Sequence, residues 1–304
     1  MSVKTSGFLI SYNNARIVET ALRSLRFVDQ LIVVDKSSTD GAAEICQRYA
    51  DIFISVPWSP TVEATRAHAL ELCQGENIVF LDDDECLSVD AIKFIRTESK
   101  KMSADVFSFP RRDYILGRHS ESAHYWPEHH VRFFRRGTVE FAPTVHAGIN
   151  VLSRNIMNIP ASSAYFIHHL SHANASVWIE KTNRYTSQPD RHHDIRQATI
   201  SLMEYADSRF VYWKSRLKSS AGPYDEAVLL LRLVYDLVDA TKVWEVTSLP
   251  DGHKAFQEIC QTLMHECDKL SEMTDIKTTC LTTEAHPQCW GRRLKGFLMQ
   301  FYKR

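Results

Sequence analysis

The chain has 304 residues, 44% hydrophobic and 24% charged, with ten glycines and ten prolines. This is too apolar for a disordered chain and too poor in Gly and Pro for a fibrous one. A formal net charge of −1 excludes a bulk basic field for nucleic acid. At ~150 residues per domain, the length predicts two domains, or one α/β domain with an extension. Seven cysteines, an odd count with no C-x-x-C spacing, read as scattered thiols of a reducing cytoplasm. The start, MSVKTSGFLISYNN, lacks the long apolar run and cleavage site of a signal peptide. No window reaches the ~20 uncharged apolar residues of a membrane span. Ala227 to Trp244 comes nearest, and its stripe of Arg232, Asp236, Asp239 and Lys242 predicts a packed helix.

In chain order, Phe8 to Tyr12 reads as a buried strand, followed by Asn13-Asn14 and a helical pattern through Leu22, Leu25 and Val28. Leu31 to Asp35 is a second strand, apolar until its last residue. Lys36 to Gly41 is a turn, and Ala42 to Tyr49 a helix. Ile52 to Ser55 is a third strand and Val62 to Leu72 a third helix. Asn77 to Leu81 is a fourth strand that runs into Asp82-Asp83-Asp84-Glu85, with a helix over Ser88 to Thr97. Apolar strands alternating with helices predict βαβ units and a parallel sheet covered on both faces. Ligands of such sheets bind beyond the carboxyl ends of the strands. Asp35 and Asp82 stand at two of those ends. From Val106 to Leu170 the alternation gives way to Arg, His and aromatic residues, and from Val177 the chain reads mostly helical.

Four successive acids after a buried strand repel one another unless a cation is present. Carboxylate oxygens suit Mg²⁺ or Mn²⁺, so the run from Asp82 to Glu85 at a strand end is a candidate metal–phosphate site. A solvated acidic turn is the plain alternative.

Three segments, in order, carry a resemblance. They are Ile10-Ser11-Tyr12-Asn13, Ile32-Val33-Val34-Asp35-Lys36-Ser37-Ser38-Thr39-Asp40-Gly41, and Phe80-Leu81-Asp82-Asp83-Asp84-Glu85. Together they resemble glycosyltransferase family 2, whose D-x-D motif takes the L-D-x-D-E form here. Further stretches are similar to the lipopolysaccharide-core glucosyltransferase branch: Phe109 to Arg118, Tyr125-Trp126-Pro127-Glu128, Val131 to Gly137, Ile167 to Leu170 and Glu180 to Thr186. The resemblance implies a GT-A nucleotide-diphosphosugar fold over residues 1–190, with a helical extension over 191–304. It implies a metal held by Asp84, with Asp82 on ribose or metal and Asp35 on the base. Ser11, Asn13 and Asp83 are donor-site candidates, and Arg66 lies where the family carries an Arg facing the diphosphate; Ala67 replaces the Asn that usually follows. His168 is expected at the pyrophosphate.

Inverting transfer needs a general base. Glu128 is that candidate, set among aromatics where burial raises a carboxyl's pKa. The branch often carries an acid after a V-H pair, and here Val145-His146-Ala147 has none. Arg132, with Arg135 and Arg136, reads as phosphate recognition. His168-His169-x-x-His172 has no zinc-site spacing, and adjacent strand residues point to opposite faces. Trp290, Leu294, Phe297, Leu298 and Phe301 recur at helical spacing among Arg292, Arg293, Lys295, Lys303 and Arg304, the pattern of a membrane-surface helix.

The combined expectation is a metal-dependent, inverting hexosyltransferase at the cytoplasmic face of a membrane. It would move a sugar from a UDP-hexose, UDP-glucose foremost, to a glycolipid saccharide such as lipopolysaccharide core. The alternatives are a transferase of the same fold acting on capsule, exopolysaccharide or peptide, and an inactive carbohydrate-binding relative.

Overall fold

A computed structural model describes residues 4–59, 62–141, 149–187, 201–248 and 251–274. The Val145-His146-Ala147 segment and the basic tail from Trp290 lie outside the described residues. The chain divides into two units, Met1–Ser248 and Leu249–Arg304.

In the first unit, β1 (Thr5–Ser11), β2 (Gln30–Asp35), β3 (Ile52–Ser55) and β4 (Asn77–Asp82) alternate with α1 (Val18–Ser24), α2 (Ala42–Gln47) and α3 (Glu63–Glu71). After the short β5 (Glu85–Leu87) and α4 (Val89–Lys101) come β6 (Val106–Ile115), β7 (Glu128–Arg135), β8 (Val139–Phe141), β9 (Ile149–Val151), β10 (Ile156–Asn158) and β11 (Ile167–His172). Among the described residues, α5 (Ala175–Thr186), α6 (Leu202–Ser215) and α7 (Pro223–Ser248) close the unit. In the second unit the described residues form α8, Gly252–Thr274.

The main sheet has the order β3-β2-β1-β4-β7-β6-β11-β5, with β10 also paired to β6. The left half, β3-β2-β1-β4, is parallel. β7 enters antiparallel between β4 and β6, and β11 runs parallel to β6. Period-2 alternation sorts the strand residues onto two faces. Leu9, Val33, Val79 and Leu81 pack against α1, α2 and α4, while Phe8, Ile32, Ile78 and Phe80 pack against α3 and the β8–β9 hairpin. This is the α/β GT-A architecture, a mostly parallel sheet with helices on both faces. The expected strand near Phe109 extends to Ile115, because β6 borders both β7 and β11 along its length.

α7 holds the longest apolar run of the sequence, and no helix of the described residues is long and apolar enough to cross a membrane. Its polar stripe faces protein. Asp236 accepts from Arg209 Nε and Trp213 Nε1, both at 2.6 Å, and from Arg232 at 2.8 Å. Lys242 reaches across to α5, where it donates to Asn183 Oδ1 and Thr186 Oγ1. The stripe is thus the seam that joins the helices to one another.

His124 is wedged edge-on against Trp213 of α6, ring centroids 5.1 Å apart, and is buried. Burial, then the charges of Arg232 and Arg216, push its imidazole from 6.5 down to about 4. A neutral ring of this kind contributes stability above pH 6.5, and that contribution is lost as pH falls through about 4. Urea midpoints of wild type and His124→Gln test it. Wild type should lose about 2 kcal/mol more than the variant between neutral pH and pH ~4.

Candidate active site

The site grows from the loops that follow β1, β2 and β4. Asn13, in a left-handed conformation with φ 48°, clips the first two loops together. Its backbone N–H donates to Ser38 Oγ at 2.9 Å, and its Oδ1 accepts from the Thr39 N–H at 2.7 Å. Asp40 adds a second clip, accepting from the N–H groups of Ala15 (2.8 Å) and Ala42 (3.0 Å). Asp35, 1% exposed, closes its own turn by accepting from the Ser38 N–H and hydroxyl. Short polar side chains suit this work because they hydrogen-bond nearby backbone without a long, mobile stem.

The four successive acids point to four different partners. Asp82 accepts both bonds of Arg66 Nη2, at 2.5 and 2.7 Å, with Arg132 at 3.4 Å. Burial favours its neutral form, but Arg66 and Arg132 outweigh that and hold it below the ordinary carboxylate range. Asp83 turns to the first loop and accepts from the Tyr12 N–H (2.8 Å) and from Asn14 Nδ2 (3.2 Å). Burial and then the neighbouring Asp84 charge push its pKa up. Asp84 faces His169 Nε2 at 3.4 Å and Lys181 Nζ at 3.5 Å. Burial opposes ionisation, yet His169 and Lys181 hold Asp84 far below the carboxylate range. Glu85, 1% exposed, binds Arg132 through two bonds of 2.7 and 2.8 Å. His169 also bonds Asp113 through Nδ1. Burial lowers its pKa, but Asp84 and Asp113 raise it to about 9.

A cavity of about 950 Å³ opens over these residues. It gathers Ser11, Asn13, Arg66, Asp82, Asp83 and Asp84 of the expected set. Four expected residues do not line it. Asp35 lies beneath, within its own turn. Arg132 is 3% exposed and bound to Glu85, so its charge is already paired inside the protein. His168 points away and meets Tyr114 Oη at 2.8 Å; its neighbour His169 faces the cavity. Glu128 lies beside the site, directly across from Arg111 in the β6–β7 pair. Burial raises its pKa, with Arg111 opposing.

The cavity also holds Tyr12, Lys36, Trp58, Lys181, Arg184 and Tyr185, which sequence reasoning passed over. Lys181, Arg184 and Tyr185 sit in a stretch that resembles the branch, and that was the available signal. Among the described residues, no group of three or more His, Cys, Asp and Glu surrounds one point. Asp84 faces the cavity as a carboxylate, His169 can offer Nε2 only after giving up the proton held there by Asp84, and Asp82, an expected second ligand, is held by Arg66. Two protein donors suffice for a cation that completes its shell from water and substrate phosphates. Asp84 with a deprotonated His169 therefore fits a divalent ion that takes its remaining ligands from a diphosphate and water.

Removing one member of a buried ion pair leaves the other charge without compensation. Arg132→Met is expected to cost about 3–5 kcal/mol in urea unfolding. Combining it with Glu85→Leu should recover much of that loss. A double variant as unstable as the sum of the single changes would rule out a coupled pair.

Comparison with known proteins adds a second line. The family described as glycosyl transferase family 2 matches residues 6–156. The lipopolysaccharide core biosynthesis glycosyltransferase LpsC of Rhizobium meliloti is 27% identical over 191 residues, 60% of this chain and 68% of that protein. An uncharacterized glycosyltransferase of Rickettsia felis is 35% identical over 96 residues, 30% of this chain and about a third of that protein. Among solved structures, S. aureus TarS 1–349 in complex with UDP aligns at 15% identity, with a TM-score of 0.43. That alignment covers 80% of this chain and 91% of the other. The strand-end acids, the loops they tie and the matched stretch coincide: residues 6–156 are a glycosyl transferase family 2 domain, and the chain is a glycosyltransferase.

Proposed function

We propose that this enzyme is a metal-dependent, inverting hexosyltransferase. Its donor is a UDP-hexose, UDP-glucose foremost, and its acceptor a saccharide on a surface glycolipid such as lipopolysaccharide core. The observation that carries this reading is the meeting of Asp84, His169, Lys181 and Arg66 on one cavity wall.

Each group has a task there. Tyr12 and Trp58, ring centroids 6.1 Å apart, form an aromatic wall for a nucleobase at the mouth. Asp82 holds Arg66 and Asp84 holds Lys181 within the cavity lining, where both cations favour a departing diphosphate. Asp84 and His169 would hold Mg²⁺ or Mn²⁺, which neutralises charge on that leaving group. Asp83 anchors the Tyr12 loop and keeps the donor pocket open. Glu128 takes the proton from the acceptor hydroxyl as the new glycosidic bond forms at the anomeric carbon and the bond to UDP breaks. Burial raises its pKa, which makes the carboxylate a stronger base than an exposed one. The division into a transferase core over 1–190 and a helical extension over 191–304 belongs to the same reading. So does peripheral attachment to the inner face of the cytoplasmic membrane through the tail from Trp290.

Thermal shifts with UDP-sugars, with and without Mn²⁺, test the donor. The correct sugar at a hundredfold excess over its Kd should add about 2.7 kcal/mol of stability. No shift with any UDP-sugar refutes the proposal. Glu128→Gln should slow transfer by ~10²–10⁴ and leave UDP affinity in place. Transfer at the wild-type rate removes Glu128 from the mechanism. Deleting the tail from Trp290 should shift the protein from the membrane fraction to the supernatant, and unchanged fractionation would exclude a tail anchor.

A further inference from the structure

His169 is held from two sides. Nε2 faces Asp84, and Nδ1 bonds Oδ1 of Asp113. Asp113 lies in the Phe109 to Arg118 stretch that resembles the branch, but no role is read for it there, and it does not line the cavity. Its place follows from register. β6 and β11 run parallel, and Asp113 and His169 are direct partners across that pair. Side chains of such partners rise on the same face of the sheet.

Asp113 is itself fixed. Its carbonyl accepts from Tyr125 Oη at 3.3 Å, and Arg111 Nε lies 3.0 Å from Oδ1. It is 4% exposed, and its second oxygen, Oδ2, is buried with no hydrogen-bond partner in the described residues. Register and backbone thus fix Oδ1 between Arg111 Nε and the ring of His169, whose Nδ1 hydrogen it accepts. An imidazole that spends its Nδ1 hydrogen in this way presents the Nε2 lone pair on the opposite side once that nitrogen is free of its proton.

We propose that Asp113 is the positioning residue of this site: by accepting the Nδ1 hydrogen of His169, it turns Nε2 toward Asp84 and a divalent cation shared by the two. The inference rests on the metal-dependent reading above and adds a residue that never touches substrate. A neutral partner with an oxygen acceptor would do the same work, so the hydrogen bond matters more than the charge.

The test measures Mn²⁺ binding by electron paramagnetic resonance in the presence of UDP, for wild type, Asp113→Ala and Asp113→Asn. UDP binding without metal and the metal-free melting temperature are recorded for each. Asp113→Ala should weaken Mn²⁺ binding by ~10–100-fold and leave metal-free UDP binding intact. Asp113→Asn, whose amide oxygen still accepts from Nδ1, should keep most of the affinity. If Asp113→Ala does not fold, Asp113→Ser, with a side chain too short to reach Nδ1, replaces it. A carboxylate that only braced the sheet would change the melting temperature and leave Mn²⁺ affinity untouched, and that result overturns the proposal. Equal losses in the Ala and Asn variants overturn it too, because charge and not the hydrogen bond would then be at work. Wild type that binds UDP but no Mn²⁺ removes the metal reading itself, and this inference with it.

Discussion

Everything at this site depends on how four consecutive carboxylates are separated. Asp82, Asp83, Asp84 and Glu85 follow one another at the end of β4, where like charges in a poorly solvated place repel strongly. The fold resolves this by sending each to a different element: Asp82 to Arg66 on α3, Asp83 to the loop after β1, Asp84 to His169 and Lys181, Glu85 to Arg132 on β7. Asp82, Asp84 and Glu85 each meet a cation and Asp83 meets neutral N–H donors, and these contacts tie the surrounding segments together. The tetrad is therefore a hub that draws four segments of chain toward the carboxyl end of β4.

The Glu85–Arg132 pair shows what such contacts are for. Both groups are almost fully buried, so desolvation offsets much of their attraction. The gain is geometric. Two bonds of 2.7 and 2.8 Å tie β7 to the start of β5, just beyond β4, which β7 pairs antiparallel through Phe133 and Phe134. The Arg132 guanidinium lies 4.5 Å from the Phe80 ring centroid and that of Arg66 5.7 Å from it. One core aromatic thus supports both cations that flank Asp82.

Much of this was legible in the chain. The alternation of apolar strands and helices up to Thr97 announced the sheet, since long runs such as Leu31 to Val34 suit only a strand buried on both faces. The acids at strand ends announced the cavity, since open α/β sheets place ligands there. Other residues were misplaced for a definite reason. Arg132 looks like a phosphate contact until β7 is seen beside β4 and Glu85 claims it. His168 and His169 differ by one position, and a strand sends them to opposite faces; nothing local to the pair says which face meets the cavity. Asp113 lies in a stretch that resembles the branch, but its role was not legible there, because it depends on a residue 56 positions away.

By itself, then, the sequence determined the family, the parallel half of the sheet and the end of it where chemistry occurs. These follow from local hydrophobic period and from motifs whose residues are neighbours in the chain. Only the tertiary structure decided how charge is distributed within the site. Which carboxylate meets which cation, which histidine faces the cavity and which arginine is withdrawn into the core all depend on strand order and register. Those are set by packing over long sequence separations, where a shift of a single residue moves every side chain to the other face of the sheet.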